Sequence, residues 1–254
     1  MKATIQTTLI LLTMLSGFPT QAEESLPAVT QLADHLLSDR LVFVAPPPPN
    51  NLGTPGQRSD GAGSRGCGDM AQAPASAEKR LTAIVPIYES ASPINLIFSK
   101  TSAERPTLWI YVPYQPPHTA LFVLQNQAGE SVFEASVELP NKPGVIGLSL
   151  PDTVPPLEPR EPYHWFFNVY CQSPPPTFVE GWIQREVLPV ATMAQLDQMS
   201  LREQADFYAD NGLWNDAVTA ATVLKQNNVE DTSWTELLQI IGLENLVDET
   251  IVDF

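Results

Sequence analysis

Between Leu81 and Leu188 apolar and polar residues alternate in short runs, and proline and glycine interrupt each run before it lengthens. A period of two is the mark of a strand with one face buried and one wet, because successive side chains point to opposite sides. Ser131–Leu139 shows it most cleanly: Phe133, Ala135, Val137 and Leu139 share one face, and Glu134, Ser136 and Glu138 the other. Strands are expected over Leu81–Ile87, Asn95–Phe98, Thr107–Val112, Ala120–Asn126, Ser131–Leu139, Val145–Leu150, Tyr163–Cys171 and Phe178–Leu188. Gln127-Ala128-Gly129-Glu130 is a hairpin turn between two of them. So many short strands at close spacing predict an antiparallel β-sandwich of immunoglobulin-like type.

One run breaks the alternation. Tyr163–Cys171 is apolar on both faces, with Tyr163, Trp165, Phe167, Val169 and Cys171 on one side and His164, Phe166, Asn168 and Tyr170 on the other. Such a strand is central and needs a second cover, supplied by the leader or the tail. Past Pro189 the period becomes helical. One helix is expected over Ala194–Asp210 and a second through Ala217, Ala220, Ala221 and Leu224. Two short helices follow over Trp234–Ile241 and Glu244–Ile251. Tyr208, Gly212 and Ala217 have the inner spacing of one tetratricopeptide-like hairpin. A lone hairpin cannot bury its own apolar face, so this tail is expected to pack on the sheets.

The front of the chain has a different character. Lys2, the apolar stretch Leu9–Phe18 and the small residues Thr20 and Ala22 have the three-part layout of a secretory signal, cut after Ala22. Residues 23–80 form a leader rich in proline and glycine and partly disordered, with Pro46–Pro49 extended; the sandwich spans 81–188 and an acidic helical tail 190–254. No segment of the mature chain is long and apolar enough for a membrane helix. Export permits a disulfide between Cys67 and Cys171, the only two cysteines; two free thiols or a reactive thiol are the alternatives. The net charge is −16, and from Val190 onward 12 acidic residues face only Arg202 and Lys225. A surface of this sign repels phosphate backbones and anionic lipid, which argues against nucleic acid as a partner.

Candidate chemistry is sparse. Gly61-Ala62-Gly63-Ser64-Arg65-Gly66 fits a dinucleotide fingerprint, but without the preceding strand and following helix it reads as a loop, and no cofactor is expected. His35, His118 and His164 are scattered with no metal-ligand spacing. A thiolate–imidazole pair of Cys171 with His164 would need side chains that their odd separation places on opposite faces. Glu134, Glu138 and Glu180 offer carboxylates for glycoside hydrolysis, although solvated strand faces carry the same pattern. Trp109, Tyr111, Trp165 and Trp182 lie on neighbouring strands; core packing is their ordinary role, and contact with a glycan or small ligand is the functional one.

Longer blocks carry a resemblance. Arg58–Cys67, Leu81–Pro86, Ala103–Trp109, Tyr111–Tyr114, Tyr163–Trp165, Phe178–Arg185 and Tyr208–Trp214 resemble domain-of-unknown-function family 928. The resemblance implies an exported protein of a chiefly cyanobacterial family without assigned activity, so it transfers no site residues. The expected function is that of a periplasmic or secreted, non-enzymatic protein that holds another envelope protein. A glycan-binding or small-ligand-binding sandwich is the alternative, and a hydrolase the third.

Overall fold

Among the described residues nine strands are followed by four α-helices and a tenth, short strand. The computed structural model describes residues 40–52, 56–59, 79–89, 95–116, 118–170, 176–228 and 230–252. The strands are β1 (Thr82–Ala83), β2 (Ile87–Tyr88), β3 (Leu96–Thr101), β4 (Thr107–Val112), β5 (Thr119–Gln125), β6 (Ser131–Glu138), β7 (Gly144–Ser149), β8 (Pro162–Tyr170), β9 (Thr177–Arg185) and β10 (Ile251–Val252). The helices are α1 (Val190–Leu196), α2 (Leu201–Asp210), α3 (Trp214–Asn227) and α4 (Ser233–Ile240). The signal-like segment and both cysteines lie outside the described residues.

The strands form two sheets, ordered β2-β3-β9-β8-β5-β6 and β1-β4-β7-β10. Both are mixed, which corrects the expectation of purely antiparallel pairing: β3 runs parallel to β9, and β10 parallel to β7. Each parallel pair joins strands far apart in sequence, and local alternation carries no information about such pairings. The hydrophobic core takes Phe122, Leu124, Trp165, Phe167, Val169, Val179 and Ile183 from the larger sheet. Leu108, Ile110, Val112, Ile146 and Leu148 come from the smaller one, where the register Leu108↔Leu148 and Ile110↔Ile146 puts them on one face. The opposite face of β8 is covered unevenly: His164 is buried, whereas Tyr170 is exposed.

The helical tail packs elsewhere, with α3 against β3 and β4. The Trp214 indole Nε1 donates to the Ile84 carbonyl at 2.8 Å, Asn215 Nδ2 donates to the Thr107 carbonyl at 3.1 Å, and Trp109 Nε1 donates to Thr219 Oγ1 at 3.0 Å. Gly147 leaves room for Trp109, since a Cβ there would meet the ring at 2.9 Å. The expected helix over Ala194–Asp210 is two helices. Ser200 caps α2, its side chain accepting from the Glu203 backbone while the Glu203 carboxylate accepts from the Ser200 backbone. The expected helix over Glu244–Ile251 is also corrected: Glu244–Leu246 is a 3-10 turn, and Ile251–Val252 joins the small sheet as β10.

Described parts of the leader are docked. Leu41 is buried, Phe43 meets Trp214 edge-on at 4.8 Å, and Val44 N donates to the Ala209 carbonyl at 3.1 Å. Gln57 bridges to Glu180 and Ser59 to Thr82. Phe43 and Val44 thus dock on α3 and α2, and Leu41 N donates to the Glu236 carboxylate of α4 at 2.7 Å. Among the described residues no helix is long and apolar enough to cross a membrane.

Candidate functional site: an open strand edge beside an apolar cleft

The site begins at a turn. Asn126 Oδ1 accepts from Ala128 N and Glu130 N, both at 3.0 Å, and Gly129 takes a φ of 78°, where a side chain would be strained. This turn sends β6 back along β5 in the register Phe122↔Ala135, with an irregularity beside Leu124. Phe133, Ala135 and Val137 are withdrawn from solvent, whereas Glu134, Ser136 and Glu138 are exposed. Small Ala135 in the middle of the inner face leaves space that a larger residue would fill.

That space is a cleft of about 950 Å³ between β6 and β7, within the size range of ligand pockets. Phe122, Phe133, Ala135, Val137 and Leu139 form one wall, Gly147, Leu148 and Val252 the other. Ser136, Glu138, Asn141, Lys142 and Ser149 are the polar residues of the lining. Two open edges flank it. Among the described residues β6 pairs with β5 alone, and β10 pairs with β7 at Val145 and Ile146. The cleft offers apolar contact and unpaired main-chain groups. Among the described residues no cluster of His, Cys, Asp and Glu could hold a metal.

The aromatic residues marked in the sequence stand elsewhere. Trp165 is fully buried, and Tyr111 and Trp182 are nearly so. Trp109 is part-buried under α3 and bonded to Thr219. Burial pushes the Tyr111 phenol up to about 12, with the Glu249 carboxylate adding to it. These rings are packing and do not line the cleft. Tyr170, 45% exposed, is the uncovered aromatic of β8.

The carboxylates also separate. Glu134 and Glu138 stand on exposed β6, whereas Glu180 lies across from Phe166 on β9. Its Oε2 is 3.0 Å from His164 Nε2, an ion-pair distance without hydrogen-bond alignment. The His164 ring stacks on Trp182 at 4.4 Å and sits 4.1 Å from Phe166. Sequence reasoning kept these residues apart because the β8–β9 register is what brings them together. A second, smaller cleft of about 280 Å³ adjoins Asp216. Burial pushes the Asp216 carboxyl above the usual aspartate range, and bonds from Ser102 N and Oγ, each 2.9 Å, offset this in part.

Sequence reasoning missed the cleft itself. Its only local signals are Ala135 amid larger residues on one face of β6, and the glycines of β7.

No curated protein matches the chain. Residues 60–251, most of the chain and all of β1 to β9, match the family model described as Domain of Unknown Function (DUF928), and the chain belongs to that family.

Proposed function

We propose that the chain is an exported, non-enzymatic interaction module that holds another protein of the envelope along the β6 edge. The observation that carries this reading is the pairing of an eight-residue strand at a sheet edge with an adjoining apolar cleft of about 950 Å³. Exposed strand edges are templates for a further strand, and pockets beside them take its alternate side chains. An immunoglobulin-like sandwich fits this role. In its favour, β1 lies in the smaller sheet while β3 crosses to run parallel to β9, the last strand of the larger. The α2–α3 pair is read as a tetratricopeptide-like hairpin on the strength of Gly212 at a φ of 70° and fully buried Ala217. Export through residues 1–22, a Cys67–Cys171 disulfide and residence in a cyanobacterial envelope complete the proposal.

The test is photocrosslinking from Ser136, an exposed β6 residue, in envelope extract. A partner captured by the otherwise unaltered chain and lost with Ala135→Trp, which obstructs the cleft beside β6, supports the reading. No capture, or capture indifferent to Ala135→Trp, removes it.

A second reading is favoured by the lining of the cleft: a small apolar molecule occupies it. A neutral naphthylamine dye then fluoresces with the chain and not with Ala135→Trp. Equal fluorescence from both would count against that reading.

A further inference from the structure

We infer that the occupant of the β6 edge is an extended strand with apolar residues on one face and basic residues on the other. This rests on the interaction reading above and adds the chemistry of the partner.

Among the described residues three edges of the two sheets are two-residue strands, β1, β2 and β10, whereas β6 runs for eight residues. An added strand continues the pleat of β6. Its residues beside Phe133, Ala135 and Val137 enter the cleft, and those beside Glu134 and Glu138 lie on the exposed face, where Glu138 also borders the cleft.

The wet face sets the sign. On β5 the residue opposite Glu134 is Val123, and opposite Glu138 it is Thr119, so the neighbouring strand brings no cation to either carboxylate. Glu134 accepts a hydrogen bond from Ser131 Oγ at 3.0 Å, and neither glutamate forms an ion pair among the described residues. Lys142, past the end of β6, is the one cation in the cleft lining among the described residues. Unlike charges across strands attract, and like charges directly opposite repel. A second copy pairing through β6 would set glutamates against glutamates, so the edge rejects self-association and selects lysine or arginine.

Synthetic peptides test this with the intact chain. One alternates lysine with valine, a second alternates glutamate with valine, and a third alternates lysine with serine. The third controls for the net charge of −16, which attracts any cation. By fluorescence anisotropy the lysine–valine peptide is expected to bind at least about tenfold more tightly than either control. The double variant Glu134→Lys/Glu138→Lys, both at exposed positions, is expected to reverse the preference toward glutamate–valine. Ala135→Trp weakens the lysine–valine peptide with no change in the circular dichroism spectrum. Lysine–valine binding no tighter than the controls, or a preference unmoved by charge reversal, overturns the inference. A partner crosslinked at Ser136 through an acidic or helical segment also overturns it while leaving the interaction reading intact. Absence of any crosslinked partner removes that reading instead.

Discussion

The two flanks of the sheets are finished in opposite ways. Where α3 lies on β3 and β4, the rings of Trp109 and Trp214 are bonded to specific acceptors, and alanines allow close approach. Between β6 and β7 the inner face also carries large apolar residues, Phe133 and Leu148 among them, but no element among the described residues closes over them. The described residues thus seal one flank with the helical tail and leave the other open. The contrast teaches that the openness at β6 is local and does not reflect a shortage of apolar material for covering it.

The sharpest way to break the comparison is to remove one large ring from each flank. Trp214→Ala empties a fully buried site and strands the Ile84 carbonyl, so a loss of about 3–5 kcal/mol is expected on chemical denaturation. Phe133→Ala removes a ring that already faces a cleft, and about 1 kcal/mol is expected there. Equal losses would mean that the β6 flank is as tightly packed as the helical one.

Adding volume asks the opposite question. Ala209 is fully buried in the α2–α3 contact, so Ala209→Leu must displace neighbours and is expected to cost about 1–3 kcal/mol. Ala135→Leu grows into open space, and a change within about 0.5 kcal/mol is expected from the same denaturation measurement. A large loss at Ala135 would show that the cleft closes in solution.

The difference between the flanks also marks what could be read from the sequence. Thr107–Val112 is expected and found as a strand with the same ends, and the in–out order of Phe133 to Glu138 follows the alternation residue by residue. Such features depend on the strand's own period. Leu81–Ile87, expected as one strand, divides into β1 and β2 around Pro86, which lacks the N–H a continuous ladder would need. The split at Ser200 was legible in principle, since Ser200 and Glu203 form a capping box. The parallel partners β3–β9 and β7–β10, and the docking of Leu41–Val44 on the tail, depend on contacts between distant segments. The cleft is harder still, because it arises from what two edges leave unfilled.

Two glycines refine the comparison at their turns. Gly212 and Gly129 both have positive φ, at 70° and 78°, so alanine at either is strained by about 1–2 kcal/mol. A Cβ on Gly129 meets nothing within 4 Å, whereas one on Gly212 comes within 2.8 Å of Pro46 Cδ and of the Val44 carbonyl. Gly212→Ala is therefore expected to cost more than Gly129→Ala and to expose Val42–Val44 to limited proteolysis. Equal costs with no new cleavage would show that the leader segment contributes nothing to the sealed flank.

The finest distinction is one of charge. The carboxylates on the open edge are solvated, but Asp216 on the sealed flank ties α3 to the turn between β3 and β4 through Ser102. Burial raises its folded pKa above the ordinary aspartate value of about 4. Across the interval between the two values the native state holds a proton that the unfolded chain has released. Stability from this group is therefore full below the ordinary value, falls as pH rises through the raised one, and is level beyond it. Asp216→Asn keeps an oxygen for Ser102 N and adds an amide donor for Ser102 Oγ, with nothing to titrate. Denaturation of both proteins from acid to neutral pH is expected to show the variant gaining on the wild type as pH rises. A gap that instead widens toward acid would mean that the ionised carboxylate is the form the fold prefers. In that case the Ser102 hydrogen bonds outweigh burial at this acidic contact between the tail and the β3–β4 turn.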